Sequence, residues 1–511
     1  MSDYPDNPLV VVGLACNFPG SADSPAAFWS LLEGAIDATG EIPEERWDRG
    51  RYYSPEPAVG KMYAERGGFI DDVCGFDAEF FGISESEARG MDPQHRILLE
   101  TTWKALENSG IAPSSLSGTK TGVFFGPAQN EFLGRNFRHA GFGGVNGLFC
   151  MAAGRVAHFL NLSGPTFALD TACSSSLVAL HVACQSLLAG ECETAIVAAS
   201  QAIVNPIQHL LLSELNVLSP DGRCKTFSED ADGFARAEGC GALIVMRLDQ
   251  ARRRRLTPRA IVRGTAINHD GHTPALIAPS PDAQREVLVQ ALARGGMRPE
   301  EVTFVETHGT GTAVGDPKEV DGILRAFGAE RTGRVTLGAV KTNLGHLEQA
   351  AGMAALVKTV LSLERGEIPP NRQVGSLNPA LDLANAPARV PTQRVPWQRN
   401  DRGALVAGVS GFGFSGTNAH VLLEEFRAEQ EAPAGPARDA HLLCLSAKTA
   451  TALRRQAADL DEFLRCSPST GLAEAAYTLA VGRSAFDHRL AVVAADVEQA
   501  RRALRAAAAE R

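Results

Sequence analysis

The chain reads as an α/β protein, and three observations carry that reading. Apolar runs rich in Val, Ile and Phe alternate with helical patterns through most of its 511 residues. Those runs fall into two halves, dividing near residue 250, that each hold several buried strands. The residues with the most distinctive chemistry sit where such runs end, beside Gly and Ser, as α/β enzymes place their ligands.

In the first half the runs are LVVVG (9 to 13), TGVFFG (121 to 126), TAIVAASQAI (194 to 203) and ALIVMRL (242 to 248). In the second they are RAIVRGTAIN (259 to 268), VTFVETHG (302 to 309), VTLGAVKTN (335 to 343) and ALVAGVSGFGF (404 to 414). The matching layout hints at a duplicated α/β unit, without a repeat at the level of residues. Between 426 and 440 the segment RAEQEAPAGPARDA loses apolar periodicity and gains Pro and charge, as a connection between domains should. A small unit follows over 441 to 511: a strand in HLLCLSA, helices in TATALRRQAADLDEFLRC and LAEAAYTLAVGR, a second strand in HRLAVVAAD and an Ala/Arg-rich helix. It is too short for catalysis of its own, and the chain is expected to be a piece of a longer polypeptide.

Hydrophobic residues make up 44% of the chain, enough for a large core, and no stretch of eighteen uninterrupted apolar residues occurs. MSDYPDNP lacks both the basic and the apolar regions of a signal peptide, so the expected location is the cytoplasm, with no membrane partner. A net charge of -10 argues against wholesale nucleic-acid binding. The basic run Arg252 to Arg255 is read as a solvated helix end, with contact to phosphate or an acidic partner as the alternative. The ten cysteines form no CxxC pair and no Cys/His cluster at zinc spacing, so they are read as free thiols and no metal site is expected.

Cys173, in DTACSSSLVALHVACQSLLAG, stands at the predicted start of a helix. There unsatisfied N–H groups and the helix dipole are expected to favour thiolate over thiol. His308 in VETHGTGT and His346 in KTNLGHLEQAAG each follow a strand-like run. Taken singly, each has a plainer reading, a buried small hydrophobe for the Cys and a hydrogen-bonded structural residue for either His. One nucleophile with two imidazoles points to acyl transfer, whose tetrahedral intermediate needs preorganised N–H donors. The Gly-rich loop GFGFSGTNAH (411 to 420) offers them. It also spells GxGxxG, but it is followed by HVLLEE and a linker rather than by a βαβ unit, which argues against a dinucleotide.

With VVGLACNFPG, GGFIDDVCGFDAEFFGIS, MDPQHRILLETTWKALENSGI, GPTFALDTACSSSL, LSPDGRCKTFSEDADGF, VETHGTGTAVGDPKE, VKTNLGHLEQAAGMA and GFGFSGTNAHVLLEE in order, the sequence resembles the β-ketoacyl synthases, specifically the ketosynthase domain of type I polyketide synthases. The resemblance implies a thiolase-like fold of duplicated layers (αβαβα) over 1 to 425. It implies a small α/β linker domain at 441 to 511 that joins ketosynthase to acyltransferase. Cys173 is implied as acyl-accepting nucleophile, and His308 and His346 as the pair that drives malonyl decarboxylation through Nε2–H donors. Lys341 matches the family's buried lysine, with Glu348 as its candidate carboxylate partner. Backbone N–H groups of Cys173 and Phe414 match the oxyanion hole, Phe227 and Phe414 match aromatic gates at the pocket mouth, and Thr310 and Thr312 match contacts to the pantetheine arm. Ordinary core packing is the plain reading of either Phe, and turn-stabilising hydroxyls that of either Thr.

The resemblance further implies a homodimer, no cofactor bound by the domain itself, and the phosphopantetheine arm of an acyl carrier protein as substrate carrier. The acyltransferase and other domains of a parent synthase are the further partners. Only a few residues precede LVVVG, which favours an iterative enzyme, a different docking mode or a trimmed chain over an upstream coiled coil. A thiolase would need a second reactive cysteine, yet none lies between Cys240 and Cys444; a Cys-His hydrolase would need one imidazole, and a non-catalytic scaffold none.

Overall fold

The computed structural model describes residues 7–56, 58–132, 147–328, 333–372, 375–381, 383, 386–427 and 438–509. The alternating apolar runs become strands of one mixed eleven-stranded sheet, ten of whose strands form two copies of a single strand order, with Ala388–Arg389 added parallel to Val335–Thr336 at one edge. The first copy comprises β1 (Leu9–Asn17), β2 (Thr121–Pro127), β3 (Thr166–Ala168), β4 (Thr194–Gln201) and β5 (Gly239–Arg247). The second comprises β6 (Ala260–His269), β7 (Phe304–Glu306), β8 (Val335–Gly338), β9 (Val406–Phe412) and β10 (Thr417–Glu425). The order in the first half is β1-β5-β4-β2-β3, antiparallel as far as β4 and parallel beyond it. The second half runs β6-β10-β9-β7-β8 with the same switch at β9. The halves join where Leu9–Val11 of β1 pair antiparallel with Ala260–Val262 of β6. Duplication is therefore written in topology, which explains why the residues do not repeat.

Helices occupy equivalent places: α1 (Pro93–Asn108), α2 (Phe149–Leu160) and α3 (Ser175–Ala189) in the first half, α4 (Pro281–Gly295), α5 (Gly315–Phe327) and α6 (Ala351–Arg365) in the second. Period-two alternation along each strand sorts side chains between layers. Leu9, Val11, Val197 and Leu243 join Ala407 and Val421 of the second half in one core with α3 and α6. Val10, Val12, Ile196 and Ile244 face α1 and α2, and Val305, Val406 and Leu422 face α4 and α5. The stack is α/β/α/β/α with α3 and α6 at its centre. The segment Ala172–Ala189 is long and apolar enough to cross a membrane by composition, and it is this central helix with the turn before it, 67% buried inside the fold.

Four sequence expectations change. β3 is a strand the sequence reading passed over, and VTFVETHG is a strand only over Phe304–Glu306. VTLGAVKTN is a strand only over Val335–Gly338 before a helical turn at Lys341–Leu344. The Gly-rich loop at 411 to 420 is mostly strand: β9 and β10 pair from Val406–Glu424 to Phe412–Asn418, leaving Gly413–Gly416 as a hairpin turn.

The last segment forms β11 (His441–Ala447) antiparallel to β12 (His488–Ala494), with α7 (Ala450–Cys466), α8 (Leu472–Val481) and α9 (Val497–Ala509) closing a separate small core. It packs on the outer face of α1. Phe80 lies between Trp103 of α1 and Phe486, at centroid distances of 4.9 and 5.8 Å, while Arg483 Nη1 donates to Glu107 O at 2.8 Å. Of the expected connection at 426 to 440, residues 428–437 lie outside the described residues.

One charged pair sits inside the central layer: Lys358 of α6 meets Glu306, the last residue of β7, at 2.7 Å with both side chains almost fully buried. Removing one partner of such a pair strands the other charge in a low dielectric. Lys358→Met is expected to lower unfolding free energy by about 3–5 kcal/mol, checked by urea denaturation; a loss under about 1 kcal/mol would mean that water reaches the pair.

Candidate active site

The loops that follow β3, β7, β8 and β9 converge on one cavity of about 530 Å³, a volume suited to a small-molecule ligand. Cys173, His308 and His346 all line it, and among the described residues Cys173 is the only cysteine that does.

The turn before α3 presents the thiol. Ala172 holds φ +54, a left-handed conformation costly for a residue with a Cβ, and side chains brace it. Ala172 N donates to Asp170 Oδ1 at 2.8 Å, Thr171 N to Ser175 Oγ at 2.9 Å, and Ser174 Oγ to Thr171 O at 2.9 Å. Helix α3 begins only at Ser175, so the sulfur stands one residue ahead of the N-cap. Backbone N–H groups of Phe414 and Cys173 face it. The first of these is delivered by Gly413, where a Cβ would come within 2.3 Å of Thr171 O, so no other residue lets the hairpin turn approach so closely.

The expected thiolate is corrected by the same surroundings. Burial, followed by the Glu348 carboxylate, pushes the Cys173 thiol up to about 12, outweighing Lys341 and the two N–H groups. Desolvation penalises the charged form more than a helix terminus one residue away can repay.

The imidazole rings of His308 and His346 stand with centroids 5.5 Å apart at 84°. Phe412 N donates to His308 Nδ1 at 3.4 Å, and Glu348 N donates to His346 Nδ1 at 3.0 Å. With Nδ1 an acceptor in both rings, each neutral imidazole carries its proton on Nε2. Burial, Lys341 and the neighbouring His346 hold the His308 pKa well below the ordinary value; burial, Lys341 and Arg236 do the same for His346.

Lys341 does not pair with Glu348. Its Nζ donates to the carbonyl of His308, and Glu348 instead receives Arg236 Nε at 2.5 Å and Gln201 Nε2 at 2.8 Å. The distinction arises because Lys341 opens a helical turn beneath the His308 loop, whereas Glu348, at φ +49, turns toward the first half. Phe227 is not at the mouth either: it is buried, at φ +66, in the core of the second half with Val287 and Val305. Phe414 lines the cavity and is 41% exposed. Thr310 and Thr312 line it too, their hydroxyls 3.2 Å apart, with Thr312 Oγ1 also accepting from Gly315 N at 3.1 Å.

Several site residues escaped the sequence reading. Glu319 of α5 accepts from His308 N at 2.6 Å and Gly309 N at 2.8 Å; Asp316, one turn earlier, accepts from Gly311 N at 3.1 Å and Phe227 N at 2.9 Å. Burial lifts these carboxyls to about 7 and about 6. Their three-residue spacing in GDPKEV, two residues after HGTGT, was the available signal. Arg236, fully buried, bridges Glu348 and Glu131, the latter at 2.8 Å. Nothing in the sequence pairs 131 with 236.

Family models for the β-ketoacyl synthase N-terminal domain, the β-ketoacyl synthase C-terminal domain and a CurL-like polyketide synthase C-terminal region match residues 6–251, 259–375 and 441–504. The chain belongs to the β-ketoacyl synthases. More closely, it is the ketosynthase domain, with its linker, of a type I polyketide synthase. The ketosynthase is 43% identical over 98% of its length to a phenolphthiocerol/phthiocerol polyketide synthase of Mycobacterium bovis, and 42% identical over 96% to erythronolide synthase EryA2 of Saccharopolyspora erythraea. It spans 28% and 14% of those two relatives. Among solved structures, the oxazolomycin ketosynthase domain OzmH KS7 of Streptomyces albus matches with TM-score 0.94 at 39% identity, covering 99% of this chain and 89% of that one. The ketosynthase from module 6 of the bacillaene synthase of Bacillus subtilis matches with TM-score 0.88 at 36% identity, covering 98% and 84%. These neighbours give the layered architecture its thiolase-like class, and the ketosynthase is a condensing, acyltransferase-type enzyme.

The raised thiol pKa has a direct readout. Below that value the thiolate fraction grows about tenfold per pH unit, so iodoacetamide labelling of Cys173, followed by peptide mass spectrometry, should climb by about that factor per unit from pH 6 to 9. A plateau near pH 7 would show that a reactive thiolate is present at rest.

Proposed function

We propose that this ketosynthase accepts an acyl chain on Cys173 and extends it with a malonyl-type unit held on an acyl carrier protein. In the first step Cys173 Sγ attacks the carrier thioester, the Cys173 proton passes to the departing pantetheine sulfur, and the acyl group is left as a Cys173 thioester. In the second, malonyl thioester loses CO2, and the resulting enolate forms a carbon–carbon bond to the acyl carbonyl. The Cys173 sulfur leaves as thiolate and takes up one proton from solvent.

The observation that carries this reading is the pair of Nδ1 atoms occupied by backbone N–H groups, which commits both imidazoles to offering Nε2–H in one cavity with the thiol. Two neutral donors suit a thioester oxygen that gains charge as CO2 departs. A hydrolase dyad would instead need a free acceptor nitrogen beside the sulfur, and both Nδ1 atoms are taken. The N–H groups of Cys173 and Phe414 serve as the oxyanion hole for the tetrahedral intermediates. Lys341 and Glu319 act as positioning residues for the His308 loop, and Glu348 for His346 through its N–H. Thr310, Thr312 and Phe414 flank the entering phosphopantetheine arm, which arrives as part of the carrier.

The working context is cytoplasmic, in a synthase whose acyltransferase adjoins the linker unit over 441–511 and whose ketosynthase unit spans 1–425. The ketosynthase acts as a homodimer. Support for pairing comes from β3, which ends the sheet with Phe167 37% exposed and leads directly into the Cys173 turn; an open edge of this kind invites a second copy.

Cys173→Ala should abolish elongation, while Cys173→Gln keeps or raises malonyl decarboxylation because both donors remain. His308→Ala should still become acylated but lose decarboxylation by about 100-fold or more. Intact-protein mass and CO2 release follow the steps separately; elongation by Cys173→Ala would sink the assignment.

A further inference from the structure

The two imidazoles of the cavity are fixed in different ways. His308 takes its Nδ1 hydrogen bond from the backbone of β9, at Phe412 N. His346 takes its own from Glu348 N at 3.0 Å, and Glu348 holds φ +49, a left-handed conformation that is costly for a residue with a Cβ. That torsion is rotation about the N–Cα bond of Glu348 itself. Relaxation to the ordinary negative range would turn the peptide plane that carries the N–H, and the tautomer of His346 would no longer be dictated.

A strained backbone of this kind persists only where its surroundings over-determine it. Here the restraint acts on the far end of the side chain. Arg236 forks onto the Glu348 carboxylate, Nε to Oε1 at 2.5 Å and Nη2 to Oε2 at 3.2 Å, and Gln201 adds Nε2 to Oε2 at 2.8 Å. The fork is charge-assisted and planar, so it fixes direction as well as distance.

Arg236 is itself anchored. Its Nη2 donates to Glu131 Oε1 at 2.8 Å and its Nη1 to His209 Nδ1 at 3.0 Å, with the side chain fully buried. Its backbone lies beside that of His346, where His346 N donates to Ala235 O at 2.7 Å and Ala237 N to His346 O at 2.8 Å. Two residues earlier in the chain, the Phe234 ring meets the His346 ring edge-on at 5.1 Å. Residues 234–237 therefore hold the backbone and ring of His346 directly, and its Nδ1 through Glu348.

Resting on the condensation reading above, we propose that Arg236 is a positioning residue for decarboxylation: by bracing the Glu348 carboxylate it keeps Glu348 left-handed, and so keeps in place the N–H that commits His346 to Nε2–H.

Glu348→Gly separates this role from a plainer one, a buried counter-ion that matters for folding alone. Glycine adopts φ +49 without strain and keeps the N–H, so the donor to His346 no longer needs a brace. All variants carry Cys173→Gln, which takes the thiol out of the assay, and CO2 release from malonyl N-acetylcysteamine thioester is followed. Arg236→Lys keeps a charge beside Glu131 and loses the fork; it should lower kcat about tenfold or more, with KM within about threefold. Added to Glu348→Gly, the same change should move kcat by less than about threefold. Glu348→Ala has a Cβ and no carboxylate to be held, so it should release CO2 about fivefold or more slowly than Glu348→Gly, a comparison that stands even where Arg236→Lys does not fold. Release by Arg236→Lys at the rate of Cys173→Gln alone overturns the inference, as does an equal loss in both backgrounds or equal rates for the Ala and Gly variants. If Cys173→Gln alone releases no CO2, the condensation reading itself fails, and that result is distinct from the others.

Discussion

The site depends on one close approach: the Gly413 backbone against the carbonyl of Thr171, too tight for any Cβ. The hairpin turn comes from the second half of the sheet and the Thr171–Ser174 turn from the first, so this contact ties the halves together at the sulfur. From it follows the placing of Phe414 N–H beside Cys173, while Phe412, one residue before Gly413, donates to His308 Nδ1. A displacement there would disturb the N–H that faces the sulfur and a histidine tautomer together, which is a reason for a hairpin rather than a free loop to carry both.

Burial then decides the electrostatics. The same enclosure that makes hydrogen bonds count for more in a low dielectric also keeps the thiol protonated and both imidazoles neutral. For the histidines this matches the proposed task, since a neutral ring with Nε2–H can donate to an enolate oxygen without first losing a charge. On the proposed condensation reading, it means that the nucleophilicity of the cysteine is developed during attack, with the departing pantetheine sulfur taking the proton. A site that stored a thiolate would have to keep Glu348 farther from the sulfur or add a cation, and Arg236 is already shared between two carboxylates.

Much of this was legible in the sequence, because long motifs in order and apolar periodicity report on local structure. The presence of β7 and β8 could be read from VTFVETHG and VTLGAVKTN, though not where they end, and the turn before α3 from ACSSS. What stayed hidden depends on distance across the fold. Lys341 bonds the His308 carbonyl because strands far apart in sequence lie side by side, and Arg236 reaches Glu131 across 105 residues. Phe227 looked like a gate by its motif, yet only the fold reveals that its left-handed backbone turns the ring into the core. The thiol went wrong for a related reason: a helix terminus is visible in a sequence, and the desolvation that overrides it is not.

The duplicated frame explains how residues far apart in the chain come to line one cavity. Cys173 precedes α3 after β3, and His346 precedes α6 after β8, so nucleophile and imidazole occupy equivalent places in the two halves. Likewise Glu131 follows β2 as His308 follows β7, and Gln201 closes β4 as Phe412 closes β9. Ends of equivalent strands meet at one centre, as open α/β sheets gather their ligands, but each half has filled its positions with different chemistry. The second half carries the imidazoles, the close-packed hairpin and Glu348; the first carries the sulfur, Glu131 and Gln201. Symmetry of the backbone supplies convergence, and asymmetry of the side chains gives each half a different share of the chemistry.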